Sequence, residues 1–206
     1  DVSDSLNFGT QVMMKREMVT EIAATLAFAA IENNDKVGLL FFSDRIEKFI
    51  PPKKGRKHIL HLIRELLDFQ PESNSTDITV PLEYITGAVK KRCTAFLLSD
   101  FIDPHDYMNA LTIANRKHDI VAIRVYDRRM EELPDVGLMK LYDSESGQEM
   151  FVDTSSVKVR SAHKKWFDDN TARLQDYLTR SCVDSVSVRT DQDYVKALMG
   201  LFAKRN

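Results

Sequence analysis

The sequence has few of the features that mark disulfide-rich, membrane-spanning or nucleic-acid-binding chains. Its two cysteines, Cys93 and Cys182, form no C-x-x-C pair and are too few for a disulfide framework. No apolar run approaches the roughly 20 residues that cross a bilayer, and no signal peptide is visible. Twenty-nine basic residues against 31 acidic ones give a net charge of -2, whereas nucleic-acid binding usually shows as a basic excess. We therefore expect a protein of the reducing cytoplasm with neither a nucleic-acid partner nor a membrane span.

Signatures of common catalytic machinery are also missing from the sequence. It contains no glycine-rich P-loop, no H-E-x-x-H zinc motif and no G-x-S-x-G nucleophile elbow. What it does have is 43% apolar residues over 206 positions, enough for the buried core of one α/β domain. These observations favour an interaction domain over an enzyme.

The apolar pattern predicts alternating helices and strands. Three near-continuous apolar runs, typical of strands buried on both faces, lie at 36–43, 92–100 and 119–126. Helical spacing predicts helices at 12–33, 58–69, 80–91, 103–117, 159–180 and 191–204, and further strands are predicted at 46–50 and 185–189. This order predicts a three-layer α/β fold, with a mostly parallel central sheet and helices on both faces.

Proline and glycine define three local expectations. Pro51 and Pro52 should end the strand that begins at residue 46. Asp103 should cap a helix whose first residue is Pro104. Residues 131–153 contain turn residues between two short apolar runs, and we interpret this segment as a small β-hairpin insertion.

The sequence opens on a D-x-S-x-S run formed by Asp1, Ser3 and Ser5. Because side chains alternate along an extended segment, these three side chains should point the same way. One carboxylate and two hydroxyls are hard oxygen ligands of the kind that Mg²⁺, Mn²⁺ or Ca²⁺ accepts. Since the chain starts inside this run, we expect a strand to precede Asp1 and residues 1–206 to form one domain that is incomplete at its N-terminus.

Two further polar residues follow at positions where a ligand site is expected. Thr76 lies in a polar loop before a predicted helix, and Asp100 ends a predicted buried strand. Ligands of open α/β sheets bind beyond the carboxyl ends of the strands, so residues 1–5 and Asp100 should share one rim. Three more acids are expected near this rim, as helix caps or as hydrogen-bond partners of the ligating residues: Asp4, Asp77 and Asp103.

Together, Asp1, Ser3, Ser5, Thr76 and Asp100 resemble the metal-ion-dependent adhesion site of von Willebrand factor A domains. All five positions occur in order, and the order of elements matches to about residue 189. More narrowly, the loop 75–77 and the strand end 98–101 resemble bacterial von Willebrand A-like proteins encoded beside MoxR-type AAA+ ATPases. One departure is that Asn74 and Ser75 replace the glycines that usually precede the threonine.

The resemblance implies a role for each residue of the motif. Ser3 and Ser5 would bind the ion through their hydroxyls, and Thr76 would bind it directly or through water. Asp1 and Asp100 would hold it largely through waters. Three neutral hydroxyls leave a divalent ion poorly neutralised, so an acidic side chain of a partner would complete its coordination. The implied function is a non-enzymatic protein-interaction module that works with a MoxR-like ATPase and its client in protein or complex maturation.

Two other functions use the same rim. A magnesium-dependent phosphoesterase would hold its metal with Asp1 and Asp100 and use His105 as acid or base. A metal-free interaction scaffold would keep the site without an ion in it. In a purely structural interpretation, Ser3 and Ser5 are turn and cap residues, with Asp4 or Ser5 capping the first helix. Turnover of a phosphoester would favour the enzyme, and partner binding without metal would favour the scaffold.

Overall fold

The computed structural model describes residues 1–3, 6, 13–142 and 149–205. In this part of the chain the helices are α1 (Lys15–Glu32), α2 (Arg56–Asp68), α3 (Thr79–Ala88), α4 (Met108–Lys117), α5 (Arg128–Glu131), α6 (Val157–Arg180) and α7 (Tyr194–Ala203). The strands are β1 (Val37–Phe42), β2 (Ile46–Lys53), β3 (Thr94–Ser99), β4 (Asp119–Tyr126), β5 (Leu138–Tyr142), β6 (Glu149–Asp153) and β7 (Asp184–Arg189). None of these helices is long and apolar enough to cross a membrane.

A parallel sheet of order β3-β4-β7 forms the centre of the fold. Strand β4 is buried on both faces because its alternate side chains enter two different cores. Ile120 and Ala122 pack with apolar residues of α3, α4 and α6. Ile123 and Val125 pack with residues of α1 and α7. The predicted three-layer α/β class is therefore confirmed, with helices on both faces of the parallel sheet.

Strands β1 and β2 form a separate antiparallel pair in the described residues. Residues 1–2 lie between this pair and the parallel sheet. The backbone nitrogen of Val2 donates to the Phe42 carbonyl at 2.9 Å, and that of Asp1 donates to the Leu98 carbonyl at 3.1 Å. Asp1 is thus fixed against the carboxyl ends of β1 and β3 at the same time.

Further from this bridge, β1 and β3 stand apart on either side of an apolar cleft. The cleft has a volume of about 550 Å³, and its lining includes Leu39, Leu97 and Ala23. Among the described residues, Gly38 of β1 is exposed and Leu39 and Leu40, which line this cleft, are half-buried, whereas Phe41 and Phe42 are buried.

Strand β2 does not end at its prolines. It continues through Pro51 and Pro52 to Lys53, which lies opposite Val37 of β1. In the described sheets β2 has β1 as its neighbour on one side, which makes it an edge strand. Because the outer side of an edge strand needs no backbone donors, it tolerates proline.

Helix α4 begins at Met108, so the predicted start at Asp103 and Pro104 is wrong. The Asp103 carboxylate is buried and accepts hydrogen bonds from the backbone nitrogens of Ile78 at 2.7 Å and His105 at 2.8 Å. Asp103 therefore joins two loops, where its sequence context predicted a helix cap.

The predicted hairpin within 131–153 is confirmed, and β5 and β6 pair antiparallel from Leu138 opposite Asp153 to Tyr142 opposite Glu149. Its predicted turn at 143–147 lies outside the described residues. The short helix α5, just before the hairpin, was not predicted. All other helices and strands start and stop within three residues of their predicted limits.

His118 follows α4 and is completely buried, with Nε2 3.2 Å from the Ile85 carbonyl oxygen. Burial lowers the pKa of His118 below its ordinary value of 6.5. The unfolded chain therefore takes up a proton more readily, and the free energy of unfolding should fall as the pH drops below that value. We expect His118→Gln to lose part of the pH dependence of the free energy of unfolding. A single titrating group contributes at most about 1.4 kcal/mol per pH unit to that dependence.

Urea unfolding at neutral pH and at about pH 5.5 measures this effect. The matched control is His61→Gln, which removes an exposed histidine from α2. Equal acid sensitivity of the wild type and the His118 variant would contradict the prediction.

Candidate functional site

Asp1 and Ser3 form a buried hydroxyl–carboxylate pair at the rim of the sheet. Asp1 Oδ1 accepts from the backbone nitrogen of Ser3 at 2.9 Å and from the Ser3 hydroxyl at 2.7 Å. Asp1 Oδ2 accepts from the Ser99 hydroxyl at 2.5 Å. Ser3 is 1% exposed and Asp1 is 9% exposed. Their side chains are therefore oriented by hydrogen bonds before any ligand arrives.

Asp100 follows β3 directly and is completely buried. Its Oδ1 accepts from the backbone nitrogen of Ile102 at 3.1 Å, and its backbone carbonyl accepts from Arg124 Nε at 3.3 Å. Its Oδ2 accepts from Lys15 Nζ at 2.7 Å. A buried carboxylate is costly unless it is paired and hydrogen-bonded, and Asp100 meets both conditions.

Lys15 is one of two residues of this site that the sequence prediction missed. It is the first residue of α1, is 1% exposed, and places Nζ 3.2 Å from Met130 Sδ of α5. A signal was present in the sequence, because Lys15 precedes Met18 by three positions and Ile22 by seven. It thus belongs to the buried face of the helix. A lysine on an apolar helix face indicates a buried acidic partner.

Thr76 lies in a loop that is held from two sides, and it is 1% exposed. The backbone nitrogen of Asp77 donates to the Ser43 carbonyl at 3.2 Å, which ties the loop to the end of β1. The backbone nitrogen of Ile78 donates to Asp103 Oδ2, which ties it to the segment after β3. These contacts place Thr76 at the same rim as Asp1 and Asp100.

Glu47 of β2 organises the start of this loop. Its carboxylate accepts from the backbone nitrogens of Glu72 at 3.2 Å and Ser73 at 3.1 Å, and from the Ser43 hydroxyl at 2.7 Å. Sequence reasoning missed this role. A single glutamate on an edge strand carries no local signal of its distant partners.

Asp77, Asp103 and His105 form a second polar cluster beside Thr76, with one ligand atom from each within 4.8 Å of the others. His105 Nδ1 lies 2.7 Å from Asp103 Oδ1, and the Asp103 carboxylate raises the pKa of His105 above 6.5. Both Asp103 oxygens already accept hydrogen bonds. The cluster therefore clamps the two loops together.

Four of the five predicted ligands, Asp1, Ser3, Thr76 and Asp100, are buried. Asp1 contacts Ser3 and Ser99, which precedes Asp100, and the loop of Thr76 is bound to the end of β1 through Ser43. The fifth, Ser5, lies outside the described residues, as does Asp4. Asp77 and Asp103 lie together with His105 in the cluster described above. Buried hydroxyls and carboxylates suit a hard divalent cation in type. The departure from a simple metal site is the Lys15 ammonium bound to Asp100 Oδ2.

Fold and site define this chain as an α/β domain with a buried polar site at the carboxyl ends of its strands. Residues 1–173 match the family model described as "Protein of unknown function DUF58". The chain belongs to this family.

Similar proteins are known from mycobacteria and from Bacteroides. Uncharacterized proteins of Mycobacterium tuberculosis and Mycobacterium bovis are 29% identical over 214 residues, covering 100% of this chain but 65% of each relative. The chain thus spans just under two thirds of the length of these relatives.

Two solved structures have the same fold. One is a conserved hypothetical protein BatB from Bacteroides thetaiotaomicron, with a TM-score of 0.63 at 14% identity, covering 99% of this chain and 94% of that one. The other is described as an aerotolerance-related membrane protein from Bacteroides fragilis, with a TM-score of 0.60 at 11% identity, covering 98% of this chain and 96% of that one. Identities this low show the fold alone.

The His105–Asp103 pair is testable by NMR. Because the carboxylate stabilises the imidazolium, the pKa of His105 should lie above 6.5. Asp103→Asn should bring this pKa down toward 6.5 while the fold is retained. A His105 pKa that does not change in this variant would show that the carboxylate does not set it.

Proposed function

We propose that this chain is a non-enzymatic interaction module that binds an acidic residue of a protein partner through a divalent cation. Asp1, Ser3, Ser5, Thr76 and Asp100 would hold the ion. The observation that supports the proposal is the burial of hydroxyl and carboxylate oxygens from separate loops at the rim of one parallel sheet. That rim is where open α/β sheets place their ligands.

The chain's own hydrogen bonds prepare these oxygens for a cation. Ser99 and the backbone of Ser3 orient the Asp1 carboxylate, and the backbone nitrogen of Ile102 orients that of Asp100. A divalent ion would bridge these oxygens and a carboxylate of the partner protein. The ion would be Mg²⁺, or Mn²⁺ or Ca²⁺ in its place. The side chains of Asp1, Ser3, Thr76 and Asp100 are buried. A carboxylate of the partner would therefore reach the ion only after the loops that cover these side chains move.

The resemblance to von Willebrand A-like proteins supplies the partner class. We propose a MoxR-type AAA+ ATPase and its client as partners, in protein or complex maturation. We place the domain in the cytoplasm, where the unpaired thiols of Cys93 and Cys182 would stay reduced.

An affinity pull-down from cell extract tests this proposal. The partner should be retained in Mg²⁺ and lost in EDTA, and Ser3→Ala should lower its retention in Mg²⁺ by about tenfold or more, because one direct ligand is removed. Ser161→Ala, on the exposed surface of α6, is the matched control and should behave as the wild type. Retention that is equal in Mg²⁺, in EDTA and with Ser3→Ala would contradict the cation bridge and favour the metal-free scaffold.

The His105–Asp103 pair supports a second candidate, a magnesium-dependent phosphoesterase. A histidine held by a carboxylate is a usual proton donor or acceptor, and His105 is 55% exposed beside the rim. This activity would appear as magnesium-dependent hydrolysis of p-nitrophenyl phosphate that His105→Ala abolishes and His61→Ala leaves intact. No turnover above background with the wild type would reject it.

A further inference from the structure

The Lys15 ammonium binds the carboxylate that the proposed divalent ion would also need. Lys15 Nζ lies 2.7 Å from Asp100 Oδ2, and the two side chains are 2% and 0% exposed. Water therefore stabilises neither charge, and each depends on the other. At this rim Asp100 has a positive partner that the chain itself supplies.

A divalent ion and this ammonium cannot share Asp100 without cost. Both are cations, and the interior dielectric makes the repulsion of like charges at short range stronger than in water. Withdrawal of the ammonium from the carboxylate would therefore favour binding of a divalent ion at Asp100.

Arg124 is a second cationic side chain close to Asp100, and it is held differently. Its guanidinium donates to the Asp100 backbone carbonyl and to the Thr171 hydroxyl, and it stacks over the rings of Tyr126 and Phe167 at 5.2 and 4.9 Å. These contacts do not involve the Asp100 carboxylate. Lys15 is consequently the cation that an incoming ion would displace.

We propose that Lys15 is a built-in competitor of the divalent ion, so that metal loading requires its side chain to withdraw from Asp100. This inference rests on the proposed function and adds its regulation. Lys15 has a flexible four-carbon stem, and its head contacts the equally flexible Met130 side chain of α5. A partner that shifts α5 would therefore also loosen Lys15 and open the site.

Mn²⁺ titrations followed by electron paramagnetic resonance test the competition directly. Lys15→Met keeps the length of the side chain and removes its charge. We expect this variant to bind Mn²⁺ about tenfold or more tightly than the wild type, the size of effect that one neighbouring charge has on an ionic equilibrium. Lys165→Met, which removes an exposed lysine paired with Asp169, should bind as the wild type does.

Thermal unfolding is a second readout of metal binding, which can be used even if Lys15→Met is less stable than the wild type. Lys15→Met leaves the Asp100 charge buried without its cation, so its Tm should fall in EDTA and recover in Mn²⁺. The double variant with Asp100→Asn lacks both charges, and its Tm should not respond to Mn²⁺. An unchanged or weaker Mn²⁺ affinity of Lys15→Met, with no recovery of Tm, would overturn the inference.

The titrations also separate this inference from the proposed function. Equal Mn²⁺ binding by the wild type and Lys15→Met would refute the competition and leave the cation bridge intact. Binding by Lys15→Met alone would support the competition and refute cation bridging by the unaltered site. Binding by neither protein would refute both.

Discussion

The Asp100 carboxylate is completely buried, and its charge sets the requirements for the whole rim of the sheet. It needs donors and a cation within contact distance, because the protein interior cannot solvate it. The Ile102 backbone nitrogen and the Lys15 ammonium meet this need. A bound divalent ion would meet the same electrostatic need. In our proposal, the Lys15 ammonium and a divalent ion are therefore alternative partners of one carboxylate.

This arrangement depends on how the loops are attached to the sheet. Carboxylates at this rim accept hydrogen bonds from backbone nitrogens. Asp1 and Asp100 accept from nitrogens two residues further along the chain, and Glu47 and Asp103 accept from distant loops. Each removes a backbone donor that would otherwise be unsatisfied and limits the freedom of a loop. The loop that carries Thr76 is thus held at both ends, while the strands below it form the rigid support.

Asp1 links the site to the sheet itself. The backbone nitrogen of Asp1 bonds to β3 and that of Val2 bonds to β1, so Asp1 lies between the two strands. It also lines the apolar cleft of about 550 Å³. The spacing of these two strands therefore decides where its carboxylate lies. The Ser99 hydroxyl, at the end of β3, holds that carboxylate directly.

By itself, the sequence determined the order of helices and strands, the parallel core and the positions of Asp1, Ser3, Thr76 and Asp100, since these follow from local periodicity and from motifs. Tertiary structure decided what the local pattern could not. Pro51 is accepted in β2 because that strand lies at an edge, and Asp103 bonds a distant loop instead of capping a helix. Above all, only folding brings Lys15 against Asp100, 85 positions away, because the pairing of two buried charges depends on which elements meet in space.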